Sequence, residues 1–144
     1  MTDPSPVNLA SISSSFADLV ARTSPAIVSV HSHRSRASGF VWKPGLVVTA
    51  DEALADEGDI SVKFVDGSER TASIAGRDHT TDVALLRVDT ANIAPIGLFP
   101  TVPALGSLAV VVAADRGAPT ASLAMVSLVG EPWRSLRGGE IDAR

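Results

Sequence analysis

From Ala26 onward the chain is built of β-branched and apolar segments four to eight residues long, punctuated by turn residues such as glycine, proline and aspartate. Runs of that length and composition are too short for ordinary helices and fit strands separated by tight turns. The strand candidates are 26–33, 39–42, 46–50, 60–65, 70–75, 83–88, 107–113 and 123–129. Many short strands with hardly any helix predict an all-β barrel or sandwich. Pro44-Gly45 and Asp66-Gly67 each fall between two such runs, and both read as hairpin turns. Before the strands, Phe16, Leu19 and Val20 share one helical face, so a short helix is expected from a cap at Ser15 to a stop at Ser24-Pro25. Residues 1–14 read as a mobile leader, 15–90 as the helix and a first barrel, 91–106 as a connector with three prolines, and 107–144 as a second β unit.

The 144 residues include no cysteine, which removes disulfides, thiolate metal sites and thiol catalysis. Twelve basic residues against sixteen acidic ones give a net charge of -4, which argues against a nucleic-acid partner held through phosphates. Ten of the acids lie in residues 51–100. The longest apolar run, 108–114, is far below the roughly 20 residues of a membrane helix, so no membrane association is expected. Met1 to Pro6 has neither a basic leader nor an apolar core, so the chain as written reads as cytoplasmic, or periplasmic if an export signal lies upstream.

Several segments taken in order resemble the trypsin-like serine proteases of the HtrA/Deg type. They are Phe16 to Val20, Ser24 to Val30, Ser38-Gly39-Phe40-Val41, Gly45 to Ala50, Val62 to Ser68, and Gly76 to Val88, with a fainter echo from Leu105 to Leu128. The resemblance implies a trypsin-like antiparallel β-barrel, the first barrel complete and the second partial, with a short N-terminal helix. It also implies a triad of serine, histidine and aspartate, in which the imidazole takes the hydroxyl proton and the carboxylate orients the imidazole. Asp82, ahead of the apolar Val83 to Leu86, stands at the triad carboxylate position. The family's histidine motif is matched by Thr49-Ala50-Asp51-Glu52-Ala53, which places Glu52 where the imidazole belongs. A glutamate, ordinarily ionising near about pH 4.3, is a poor base for a serine hydroxyl at neutral pH. The family's Gly-Asn-Ser-Gly-Gly-type nucleophile run does not occur in these residues; Gly138 to Ala143 resembles the stretch just before it. The expectation is therefore a catalytically inactive homologue acting in binding or assembly. The alternative is the N-terminal portion of a serine endopeptidase whose nucleophile lies on a further segment. No cofactor and no metal are expected.

Other residues admit sharper and plainer readings. Glu52 and Asp82 could face one another and attract a cation, or Glu52 could point into water beside Asp51, Asp56, Glu57 and Asp59; the latter is favoured because carboxylates are mostly exposed. His31 and His33 alternate beside Arg34 and Arg36, a pattern open to a zinc or phosphate site but more commonly a solvent-facing strand row. His79, three residues before Asp82, could bond it or enter the base position; a loop histidine satisfied by its neighbours is commoner. Ser38 and Ser127 lack a glycine-flanked strained turn and read as structural. The apolar strands at 108–112 and 123–126 would leave an open face in an incomplete second barrel, which predicts a protein partner or self-association there.

Overall fold

The computed structural model describes residues 8–33, 35–55, 58–136 and 138–141. Six strands, β1 (Ile27–Ser32), β2 (Ser35–Lys43), β3 (Leu46–Ala50), β4 (Ile60–Lys63), β5 (Glu69–Asp78) and β6 (Val83–Arg87), close into an antiparallel barrel in the order β1-β2-β3-β6-β5-β4. Successive side chains on a strand point to opposite faces. Val28 and Val30 of β1, Val41 of β2, Val47 of β3, Val62 of β4, and Ala84 and Leu86 of β6 therefore turn inward and are buried. Phe64, just after β4, and Leu54, after β3, join the same core. Each fully buried side chain of this kind contributes about 1.5–3 kcal/mol relative to exposure.

Both predicted hairpins form. Lys43 pairs Leu46 around Pro44-Gly45, where Gly45 takes a φ of 77°, and Lys63 pairs Glu69 around a loop in which Gly67 takes a φ of 86°. The fold class matches the expectation: mostly strand, a closed barrel, one helix and a second, partial sheet. That sheet is a hairpin of β7 (Leu108–Asp115) and β8 (Ala118–Met125), followed by the short pair β9 (Trp133–Arg134) and β10 (Glu140–Ile141). Asp115 pairs Ala118, so only Arg116 and Gly117 form the turn, with φ of 53° and 86°, the left-handed pair that matches the twist of a two-residue hairpin.

Several boundaries differ from the sequence reading. The helix α1 (Leu9–Thr23) starts before Ser15, because Asn8 accepts the Ala10 N–H through its side chain and Leu9 and Ile12 extend the apolar face. The capping role expected of Ser15 is absent; its hydroxyl donates back to the Ser11 carbonyl inside the helix. The strand expected at 123–129 instead covers Ala118–Met125. The connector is also more than a spacer. The Ile96 N–H donates to the Val41 carbonyl at 2.9 Å, and Ile93 and Ile96 pack against the barrel core.

The hairpin is fastened to the outer wall of the barrel by two serines. Ser38 Oγ accepts the Ala114 N–H at 3.0 Å and donates to the Ala114 carbonyl at 3.3 Å, while Ser29 Oγ accepts the Gly117 N–H at 2.9 Å. Ser38 thus has the structural role expected of it. Ser127 lies exposed after β8.

Candidate active site

The pairing of β3 with β6 sets the geometry at the barrel's end. Because Ala50 is opposite Val83, the residue after β3 must meet the residue before β6. The Asp51 N–H donates to the Asp82 carbonyl at 3.3 Å, and the Glu52 N–H donates to Asp82 Oδ1 at 2.7 Å. Asp82 sits at a φ of 57°, a left-handed conformation that turns its side chain back toward the 51–53 turn. The turn leading to it is organised by Asp78. The Asp78 carboxylate accepts the Thr80 N–H at 2.9 Å, the Thr80 hydroxyl at 2.6 Å and the Thr81 hydroxyl at 2.7 Å. The Thr80 hydroxyl, with that of Thr81 next, pulls the Asp78 carboxyl down to about 2.

Asp82 and Glu52 are thus brought together, but through the Glu52 backbone amide. The Glu52 side chain is exposed, as the plainer reading expected. Among the described residues no group of three or more histidines, cysteines or acids is placed to hold a metal ion. Asp56 and Glu57 lie outside the described residues.

The buried charge is Asp51, whose carboxylate is about 5% exposed. Arg77 Nε donates to Asp51 Oδ1, and Arg77 Nη2 reaches the Asp51 and Leu54 carbonyls at 3.3 Å each. His79 Nδ1 meets Asp51 Oδ2. Burial pushes the Asp51 carboxyl up, but the hydrogen bonds and charges of Arg77 and His79 outweigh it and hold the carboxyl below its ordinary value. The contact with Asp51 matches the plainer reading of His79, a loop histidine satisfied by its neighbours. This cluster escaped the sequence reading, which grouped Asp51 with its exposed acidic neighbours. A signal was present: Arg77 and His79 alternate at the end of β5, which pairs with β6 beside the 51–53 turn.

His31 and His33 are both exposed, His31 on the outer wall of β1 and His33 in the following turn. Trp42 stands at a bulge where the β2–β3 register shifts, with the Lys43 ammonium 4.2 Å from its ring centroid.

Chemically, the end of the barrel presents a carboxylate fixed by a backbone amide, an exposed glutamate beside it, and a neighbouring Arg–Asp–His cluster. In a triad the carboxylate orients its base through the imidazole ring N–H, whereas here the contact to Asp82 comes from the Glu52 backbone amide.

Comparisons with known proteins bear on the family and the fold. Residues 37–142 match the trypsin-like peptidase domain family. A probable periplasmic serine endoprotease, DegP-like, of Pseudomonas putida is 41% identical over 66 residues, covering 45% of this chain and 14% of that protein. Serine protease HTRA1A of Danio rerio is 29% identical over 96 residues, covering 58% of this chain and 20% of that protein. Among solved structures, the serine endoprotease from Yersinia pestis superposes with a TM-score of 0.72 at 25% identity, covering 80% of this chain and 45% of that one. The chain therefore spans less than half the length of these relatives. With its closed six-strand barrel and a family match over most of its length, the chain belongs to the trypsin-like peptidase domain family.

Proposed function

We propose that this chain is a non-catalytic HtrA/Deg-type peptidase homologue that works by binding or assembly. The observation that carries the reading is the hydrogen bond from the Glu52 amide to Asp82 at 2.7 Å. It supports reading Glu52 as the residue that stands in the sequence where the triad imidazole belongs. A proton relay from a hydroxyl through Glu52 to a second carboxylate has no base suited to neutral pH. The proposed binding surface is the β7–β8 hairpin, where Leu108, Val111, Leu123 and Met125 are each more than half exposed. Apolar faces of that kind favour a protein partner or a second copy. The word "periplasmic" in the names of the DegP-like relatives supports placing this chain in the periplasm as well.

Casein turnover and labelling with a serine-directed probe test the first claim. Neither is expected, and turnover abolished by a serine-directed inhibitor overturns it. Light scattering tests the second: a monomer at all concentrations sets aside self-association. The second reading, a portion of an active endopeptidase, is favoured by the retained Asp82 clamp and by the small share of each relative that the chain spans. It predicts turnover once a segment carrying a Gly-x-Ser-Gly-Gly run is joined after Arg144, without any change at Glu52.

A further inference from the structure

The outer wall of the barrel gathers basic residues far from the Asp51 and Asp82 cluster. Ser29 of β1 pairs both Ser38 of β2 and Lys63 of β4, and His31 pairs both Arg36 and Ser61, so these residues form two adjacent rows across three strands. Val28, Val30 and Ser32 face the barrel interior, so alternation turns Ser29 and His31 to the outer wall, where His31 is exposed and Ser29 is buried beneath the Gly117 turn. Opposed residues stand about 5 Å apart at Cβ and diagonal ones about 7–8 Å apart, so Arg36 and Lys63 flank His31 from its two sides.

The hairpin adds a fourth basic residue. Gly117 is held to Ser29, and a Cβ on Gly117 would lie 3.0 Å from Lys63 Cγ, so the turn rests on Lys63 and carries Arg116 beside it. Arg116 occupies a left-handed position that ordinarily selects asparagine, aspartate or glycine, and the turn itself has no need of an arginine. The space enclosed is a cavity of about 450 Å³ whose charged lining is His31, Arg36, Lys63, Arg116, Glu69 and Asp115. Among the described residues the ion pairs are Arg70–Asp89, Arg77–Asp51, His79–Asp51 and Arg134–Glu140, and none uses Arg36, Lys63 or Arg116. In a chain of net charge -4, three permanent cations from three elements line one cavity with two carboxylates, Glu69 opposite Lys63 and Asp115 next to Arg116, and among the described residues neither carboxylate is within salt-bridge distance of them. Three cations against two carboxylates leave the cavity net positive, which favours an anion.

We propose that this cavity binds a phosphate group, free or carried by a small organic molecule, with Arg36, Lys63 and Arg116 as donors. Donors arriving from β2, β4 and the turn suit a tetrahedral dianion with several acceptor oxygens better than a planar monocarboxylate. The cavity is larger than a phosphate and leaves room for an attached body. Glu69 and Asp115 disfavour further negative charge on that body.

The test is a titration of inorganic phosphate, and separately of glycerol phosphate, into the full chain by proton–nitrogen NMR, with sodium chloride at matched ionic strength as control. Saturable shifts are expected in β1, β2, β4 and residues 115–117. Lys63→Gln and Arg116→Asn are each expected to weaken binding about tenfold or more, as the loss of a charge-assisted hydrogen bond does. Asparagine tolerates the left-handed turn, so Arg116→Asn keeps the hairpin. Glu69→Gln is expected to tighten binding. Tighter binding of glycerol phosphate assigns the site to a phosphorylated molecule, and equal binding assigns it to the free ion. Shifts that do not saturate, or that persist unchanged in both Lys63→Gln and Arg116→Asn, overturn the proposal.

Discussion

Asp51 carries one of the few charges on the chain that water barely reaches, and its two partners determine what it does for stability. Burial alone favours the neutral acid; Arg77 and His79 reverse that and hold the folded-state pKa below the ordinary value. A group depressed in this way contributes its full stability above the unfolded carboxylate value, near about pH 4, and loses it as the pH falls through the folded value. Acid denaturation followed by circular dichroism should therefore show a shallower loss below about pH 4 in Asp51→Asn than in the parent. Removing only the guanidinium is harsher. Arg77→Leu leaves a buried carboxylate with His79 alone, and urea unfolding should register a loss of about 3 kcal/mol, as for other broken buried pairs. The positions of Asp82 and Glu52 were legible from a motif, because register fixes them through backbone contacts. The Asp51 cluster was not, since it depends on which strands lie next to one another, which spacing along the chain does not reveal.

At the scale of elements, close approach and turn geometry set the tolerances. A Cβ on Gly39 would lie 2.7 Å from the Val48 carbonyl of the facing strand and 3.1 Å from a Val47 methyl. Neither neighbour is free to retreat, so Gly39→Ala should cost about 1–3 kcal/mol, seen as a lowered urea midpoint. Arg116→Gly should act in the opposite direction. It relieves a left-handed arginine worth roughly 1 kcal/mol, and thermal unfolding should rise slightly if the hairpin melts with the barrel. The two barrel hairpins were readable because proline and glycine mark their turns. The β8 strand was misplaced because Pro119 and the serines and threonines around it read as loop. Pro119 is tolerated for a local reason: its partner Ala114 directs both backbone groups to Ser38, so the pair sits at a position where β8 owes no N–H to the ladder.

Across the whole molecule, the barrel and the hairpin meet mainly along one wall, through Ser29 and Ser38. Replacing both by alanine removes three hydrogen bonds of roughly 1 kcal/mol each and leaves the barrel core untouched. In Ser29→Ala/Ser38→Ala, hydrogen exchange should speed up in β7 and β8 while β1 to β6 keep their protection. The all-β class could be read from strand periodicity alone, whereas closure into a ring and the seating of the hairpin arise from long-range pairing that periodicity does not encode.

A ladder with two ends can come apart rung by rung, but a hoop has nowhere to begin. Since every strand from β1 to β6 is flanked on both sides, opening the ring means giving up a whole seam at once, while the two-stranded ribbon of β7 and β8 can fray from Leu108 and Met125 inward. Of the two, the ribbon is therefore the easier to open, and it carries the exposed Leu108, Val111, Leu123 and Met125.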